Sequence, residues 1–173
     1  MSTQVPSQGL ALRPPQHQVD PRCRRWWAVQ ILLSFGIPAV ALVASGVFFA
    51  NLRVWVWVPG GVAAAAAIGG SLLAPAVLFR IHRWEVTDVA IYARSGWLWQ
   101  EWRAAPLSRV QTVDTERGPL QRMFGLATVT VTTASAKGPV RIEALDALLA
   151  EDIAHRLTAL AQRQAPADAA DAT

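Results

Sequence analysis

The sequence predicts a two-helix transmembrane hairpin followed by a mainly antiparallel β domain, a sandwich or barrel that ends in one amphipathic helix. Three observations carry this prediction. Residues 26–79 hold a single charged side chain, Arg53, near their midpoint. From about residue 83 the texture changes to short runs in which apolar and polar residues alternate. Towards the end, Leu145, Leu148, Leu149, Ile153, Leu157 and Leu160 recur with the period of one helix face.

The hairpin comes first. About 20 apolar residues rising about 1.5 Å each cross a bilayer core, and the uncharged runs 26–50 and 54–79 both exceed that length. Only Asn51-Leu52-Arg53 separates them, so two helices here must turn back tightly on each other. Buried helices of a soluble protein are the rival reading, but runs this long and uncharged rarely fit inside a domain this small. Arg22, Arg24 and Arg25 precede the first run and Arg80 and Arg83 follow the second. Arginine-rich flanks favour the cytoplasm, which places both termini inside a bacterial plasma membrane and the short loop outside. Trp26, Trp27 and Trp84 are expected at the inner interface, and Trp55 and Trp57 at the outer one, where indoles prefer to sit. Gly61, Ala65 and Gly69 recur every fourth residue, and Gly46 and Ala50 offer a shorter match, spacings that let two backbones approach in lipid. Pro38 is expected to bend the first helix, and Pro59-Gly60-Gly61 to delay the regular start of the second. No ionisable residue lies inside either run, which points to an anchor rather than an ion path or pore.

The flanks are read by composition. Residues 1–21 are rich in Gln, Pro and Ser without periodicity, and residues 164–173 are an Ala/Asp run; both are expected to be disordered. The segment 22–82 is then the membrane unit and 83–163 the cytoplasmic domain. The formal net charge of +4 resides at the membrane flank, because residues 80–173 hold eleven basic and eleven acidic side chains. That balance argues against a nucleic-acid partner. Arg24-Arg25 ahead of an apolar run resembles an export signal only superficially, since the run far exceeds a secretory h-region. Cys23, the one cysteine, lies before the apolar run and allows neither an internal disulfide nor a thiol metal cluster.

In the β domain, Ala127, Val129 and Val131 alternate with Thr128, Thr130 and Thr132, the pattern of a half-buried strand. Val89, Ile91 and Ala93 alternate against Tyr92 and Arg94, and Val140 and Ile142 against Arg141 and Glu143. Ser95-Gly96 marks a turn. Val110 and Val113 break the period of two, which predicts a bulge. About six strands result, and Asp146 suits an N-cap for the final helix. Residues 80–173 are expected to fold without the anchor.

Four segments bear a resemblance: Trp84-Glu-Val-Thr-Asp88, Ala93-Arg-Ser-Gly-Trp97, Pro106-Leu-Ser-Arg-Val110 and, above all, Arg117-Gly-Pro-Leu-Gln-Arg-Met-Phe-Gly-Leu-Ala-Thr-Val129. Together they resemble the bacterial pleckstrin-homology-like (PH-like) membrane family of the YdbS type, over roughly residues 22–160. The resemblance implies a two-helix anchor and a PH-like split barrel capped by the C-terminal helix. It supplies no biochemical activity. Some relatives occur beside a larger protein carrying repeated copies of the domain, which implies a hetero-complex.

Read physically, Gly118-Pro119 opens a single helical turn, Leu120 and Phe124 lie one turn apart, and Gly125 suits its C-terminal cap. The apolar side is expected to plug the barrel, with Gln121 and Arg122 facing water. Arg117 and Arg122 are candidates for contact with lipid phosphates or a partner carboxylate, against a purely structural plug with solvated arginines. Trp97, Trp99 and Trp102 are candidates for an interaction patch or membrane-surface contact, Trp97 and Trp99 sharing one strand face. His17, His82 and His155 form no metal spacing, and no nucleophile, phosphate-loop or dinucleotide motif is present. The expected function is therefore a non-catalytic, membrane-anchored binding or scaffold module at the cytoplasmic face, without cofactor or evident small-molecule substrate. Its expected partners are the bilayer and a protein, or a second copy of the chain. The alternatives are an anionic-lipid head-group sensor and an accessory subunit of a membrane enzyme or transporter.

Overall fold

The structure, a computed structural model, describes residues 15–49, 51, 53–97, 99–135 and 138–170. A short strand β1 (His17–Gln18) leads into the long helices α1 (Cys23–Phe48) and α2 (Arg53–Ile81). There follow β2 (Arg83–Val86), β3 (Ala90–Ser95), β4 (Glu101–Pro106), a 3₁₀ turn, β5 (Val110–Glu116), α3 (Pro119–Phe124), β6 (Leu126–Thr133), β7 (Val140–Asp146) and α4 (Ala147–Ala170). The strands form two antiparallel sheets, ordered β1-β2-β3-β4 and β5-β6-β7, with α4 packed on the second. This is a transmembrane hairpin carrying a PH-like β sandwich.

The hairpin helices are apolar outside as well as inside. In their most apolar windows only 11% and 17% of residues are buried, and Ile37, Val40, Val58, Val62, Leu72 and Leu73 point outward. A core helix of a soluble protein would bury those side chains; here lipid covers them. The seam differs from the expected one. Gly61 and Gly69 have no atom within 4 Å of where a Cβ would sit, so that stripe faces away from α1. The buried small residues are Gly60, Ala67 and Ala74 on α2, and Ala39 and Gly46 on α1. They recur every seventh residue, the repeat that keeps two gently supercoiled helices in register, whereas an i, i+4 stripe drifts off the contact. A Cβ on Gly60 would lie 3.0 Å from Val43, and one on Gly46 would enter the Trp57 indole. Trp57 also donates to the Val43 carbonyl across the seam (3.1 Å). Helix α2 is regular from Arg53, so Pro59-Gly60-Gly61 does not delay it. Ala50 and Leu52 lie outside the described residues.

Both expected tails need correction at their inner ends. Val19 is buried, the Asp20 amide donates to the Ala144 carbonyl (3.0 Å), and His17–Gln18 pair with Arg83 and Trp84. Residues 15–21 are thus a sheet edge, while 1–14 lie outside the described residues. At the other end α4 continues through residues 164–170, whose alanines favour helix.

In the domain, the bulge expected near Val110 is present, between Val110 and Thr112. A second irregularity lies opposite, between Ala127 and Val129, where β7 places Ala144 at φ 60°. That left-handed conformation costs a residue with a Cβ about 1–3 kcal/mol. Strand β6 is not half-buried: Thr128 and Thr130 are covered along with Val129 and Val131, because α3 packs against it. On α4 the buried stripe is Ala150, Ile153 and Leu157, with Leu160 beside it. Leu145 belongs to β7, because the helix starts only at Ala147, and Leu148 and Leu149 lie on its exposed side. Asp146 caps it, accepting from the Leu148 and Leu149 amides at 2.9 and 3.3 Å.

Candidate functional site at the membrane junction

One residue, His82, separates α2 from β2, so the β domain packs directly under the helices. Cys23, Trp26 and Trp27 at the base of α1 join Val19, Trp84, Ile91, Leu126 and Leu145 in one continuous core. This corrects the expectation that Trp26, Trp27 and Trp84 lie at the lipid interface: all three are at most 8% exposed. The Trp27 and His82 rings meet tilted, with centroids 4.9 Å apart, and Trp84 meets His17 likewise at 5.1 Å while donating to the Gln18 carbonyl (3.2 Å). Trp55, near the far loop, is exposed.

Arg22 fastens the junction. Its Nε and Nη2 each donate to Asp20 at 3.0 Å, and Nη2 also donates to Asp146, the cap of α4. The Arg22 guanidinium holds both carboxyls below the usual carboxylate range. Gly125 closes α3 in the left-handed region at φ 67°, and a Cβ there would lie 2.8 Å from Arg22 Nη1. The Gly125 carbonyl accepts from the first amide of α4, Ala147 (3.1 Å). One arginine and one glycine therefore tie the entry of α1, the 119–124 turn and the start of α4 to one point.

The 117–129 segment is mainly structural. Gly118 is the N-cap of α3 and Pro119 its first residue, while Leu120 and Phe124 pack on the core as expected. Gln121 departs from expectation. It is buried, accepting from the Gly118 amide (2.9 Å) and donating to Thr128 (2.8 Å), because its side chain folds back to satisfy the helix start. Arg117 binds Glu151 (2.7 Å) and the Ala147 carbonyl (3.2 Å), so it braces α4. Arg122 is exposed.

The tryptophans lie at the β3–β4 end of the first sheet, away from Arg117 and Arg122, which flank and belong to α3. Trp97 and Trp99 stand on the loop joining β3 to β4, not on a strand face, and are 49% and 83% exposed. Trp102 lies on β4, opposite Arg94, whose guanidinium sits 5.2 Å from the indole centroid.

Sequence reasoning missed two crevices. The first, about 440 Å³, is lined by Arg83, Arg94, Arg103 and Arg141 with Glu101 and Glu143. The second, about 580 Å³, opens between Trp26, Trp27 and Gln30 of α1 and the 118–121 turn. Strand register sets Arg83 opposite Arg94 in the first sheet, whereas Arg141 reaches the crevice from β7 of the second sheet, so no stretch of sequence groups them.

Residues 31–161 match the family model described as "Bacterial PH domain". The chain belongs to this family. The chain is similar to the "UPF0699 transmembrane protein YdbS" of Bacillus subtilis (strain 168), at 28% identity over 124 residues, 70% of this chain and 78% of that protein. No solved structure matches the chain significantly. This bacterial PH-domain match includes most of the hairpin as well as the sandwich, in keeping with the core they share.

Proposed function

We propose that this bacterial PH-domain protein is a non-catalytic anchored module that holds its sandwich in a fixed pose at the cytoplasmic face and binds a protein partner there. The observation that carries this reading is the common core: Trp26, Trp27 and Cys23 of the membrane helix are built into the domain, and Arg22 ties α1 to α4. A flexible tether needs no such joint; a module that presents one surface at a set height does. Trp102, an exposed indole on the outermost strand of its sheet, is the favoured contact, since tryptophan dominates interface hot spots. The arginine flanks favour cytoplasmic termini.

Two experiments test the reading. Reporters fused at Met1 and Thr173 should both report cytoplasm, and a tag at Asn51 should be accessible only from outside. A photo-cross-linking residue at position 102 of the full chain in native membranes should give one discrete adduct, absent when it is moved to exposed Leu148. An externally accessible C-terminus overturns the orientation, and no adduct at position 102 overturns the partner surface.

A further inference from the structure

The second crevice, between α1 and the 118–121 turn, carries unpaired charge. Glu116 at the end of β5 and Glu143 on β7 line it, and among the described residues neither forms an ion pair or accepts a hydrogen bond. Arg141 is the one basic side chain among the described residues that line it, and it pairs with neither, so acid prevails. Trp26 and Trp27 form the wall nearest the membrane. Each is more than nine-tenths buried, and neither indole N–H donates a hydrogen bond among the described residues. Neither nitrogen is sealed from solvent, so each stays open to an acceptor. Carboxylates beside indoles suit a guanidinium, which forks onto carboxylate oxygens and stacks on aromatic rings. Clefts of about 300–1,000 Å³ take drug-sized ligands, so one of about 580 Å³ admits an arginine side chain.

The chain itself supplies the complement. Arg25 and Arg80 are exposed at the base of the hairpin, and among the described residues neither forms an ion pair. The Arg24 guanidinium lies over Phe79 and Trp27 meets His82, which sets Arg25 and Arg80 at the height of the two indoles. Neither serves the crevice of its own chain. At about 100° per residue, Arg25 projects roughly 145° round α1 from the face that bears Trp26, Trp27 and Gln30. Among the described residues none of α2 lines the crevice. Copies of one chain insert the same way round, so the arginines of one copy and the crevice of its neighbour meet at one depth.

We propose that Arg25 and Arg80 of one copy enter the Glu116–Glu143 crevice of a second, with their guanidinium groups against the Trp26 and Trp27 indoles. The last carbonyls of the first copy's α2, beside Arg80, lack intrahelical donors and accept from those indoles. The two surfaces lie on different sides of the chain, so the contact is heterologous. It rests neither on the Trp102 contact nor on the cytoplasmic orientation, and the photo-adduct at position 102 is unaffected by it.

The test is Förster transfer between donor- and acceptor-tagged full chains, fused at Thr173, in phosphatidylcholine vesicles at falling protein density. Unaltered chains should show transfer above that of random proximity. Glu116→Gln/Glu143→Gln, and separately Arg25→Gln/Arg80→Gln, should each raise the density required about 30-fold, the loss on truncating desolvated charge pairs. Exposed Arg122→Gln should change nothing. Chains carrying Glu116→Arg/Glu143→Arg or Arg25→Glu/Arg80→Glu should not self-associate, and mixing the two should restore transfer. Near-UV circular dichroism and terminal reporters check folding and insertion, and the glutamine pairs decide the matter should a reversed chain fail either. Random-level transfer in the unaltered chain, undiminished transfer in the glutamine pairs, or no restoration on mixing folded reversed chains overturns the proposal. In native membranes a photo-cross-linking residue at exposed Gln30, on the crevice wall, should give an adduct of twice the chain's mass. An adduct with a different protein alone overturns the second copy as the occupant.

Discussion

Replacing Gly125 by alanine tests the junction at its tightest point. Two costs arise, and the structure separates them. At φ 67° a Cβ carries a backbone penalty of about 1–2 kcal/mol whatever surrounds it. The same Cβ would stand 2.8 Å from Arg22 Nη1, so the guanidinium must withdraw from Asp20 and Asp146. Arg22 is 47% exposed in its side chain, and half-exposed ion pairs contribute about 0–1 kcal/mol. Gly125→Ala should therefore cost about 1–3 kcal/mol, or roughly 3–9 °C in Tm for a chain of this size. The assay is thermal unfolding of the full chain in mild detergent, followed by tryptophan fluorescence, within a double-mutant cycle with Arg22→Ala. With Arg22 gone only the backbone penalty remains, so Gly125→Ala should cost about 0.5–1 kcal/mol less. An equal cost in both backgrounds would falsify the coupling, and no cost in either would refute the strained cap itself.

Further consequences follow from the same contacts. Residues 80–173 alone should not unfold cooperatively, contrary to the sequence expectation, because truncation removes Val19, Cys23, Trp26 and Trp27 from the core. The two indoles bury about 300–500 Å², a gross contribution of about 8–12 kcal/mol against roughly 5–15 of net stability; a sharp two-state transition in that fragment would refute the shared core. Asp20 and Asp146 are held below the ordinary carboxylate pKa by Arg22, so their stabilisation is complete at neutral pH and is lost only as pH falls through their depressed values, below about pH 4. Asp146→Asn should flatten that acid limb in a pH series of Tm values, and an unchanged limb contradicts the clamp. In the hairpin, Gly46→Leu should separate the helices by driving a side chain into Trp57, whereas Gly61→Leu should be tolerated. Disulfide trapping between cysteines placed at Leu42 and Gly60, whose Cβ positions lie 3.3 Å apart across the seam, reads the difference, and the reverse ranking would restore the 61–65–69 stripe as the seam.

How much of this was legible in the sequence depends on how local each cause is. The two membrane helices, the alternation of β3 and β7, the bulge after Val110 and the caps at Asp146 and Gly125 each follow from a few neighbouring residues. The helix seam did not, because a seven-residue repeat of small residues in an alanine-rich run is visible only once a partner helix selects it. Trp26 and Trp27 look the same in sequence whether an indole meets lipid or protein, and only the single residue between α2 and β2 forces the domain beneath them. The strand at His17–Gln18 carries no β signature of its own; it is held by backbone pairing and by the Trp84 indole. Trp97 and Trp99 were found by type but misplaced on a strand, since the turn after Ser95 is wider than Ser95-Gly96 alone implied. Arg83 and Arg94 drew no attention because ten intervening residues separate them along the chain, and they meet only across the β2–β3 register.

The most direct test of the account is the rigidity of the joint between hairpin and domain. Spin labels at Val54→Cys on α2 and Leu148→Cys on α4, both exposed positions, would be placed in a Cys23→Ala chain reconstituted in nanodiscs. Double electron–electron resonance should give one narrow distance distribution, broadened when Arg22→Ala and Trp27→Ala are introduced. A broad distribution in the chain without those two changes would show a tethered domain and contradict the fixed pose on which the proposed function rests.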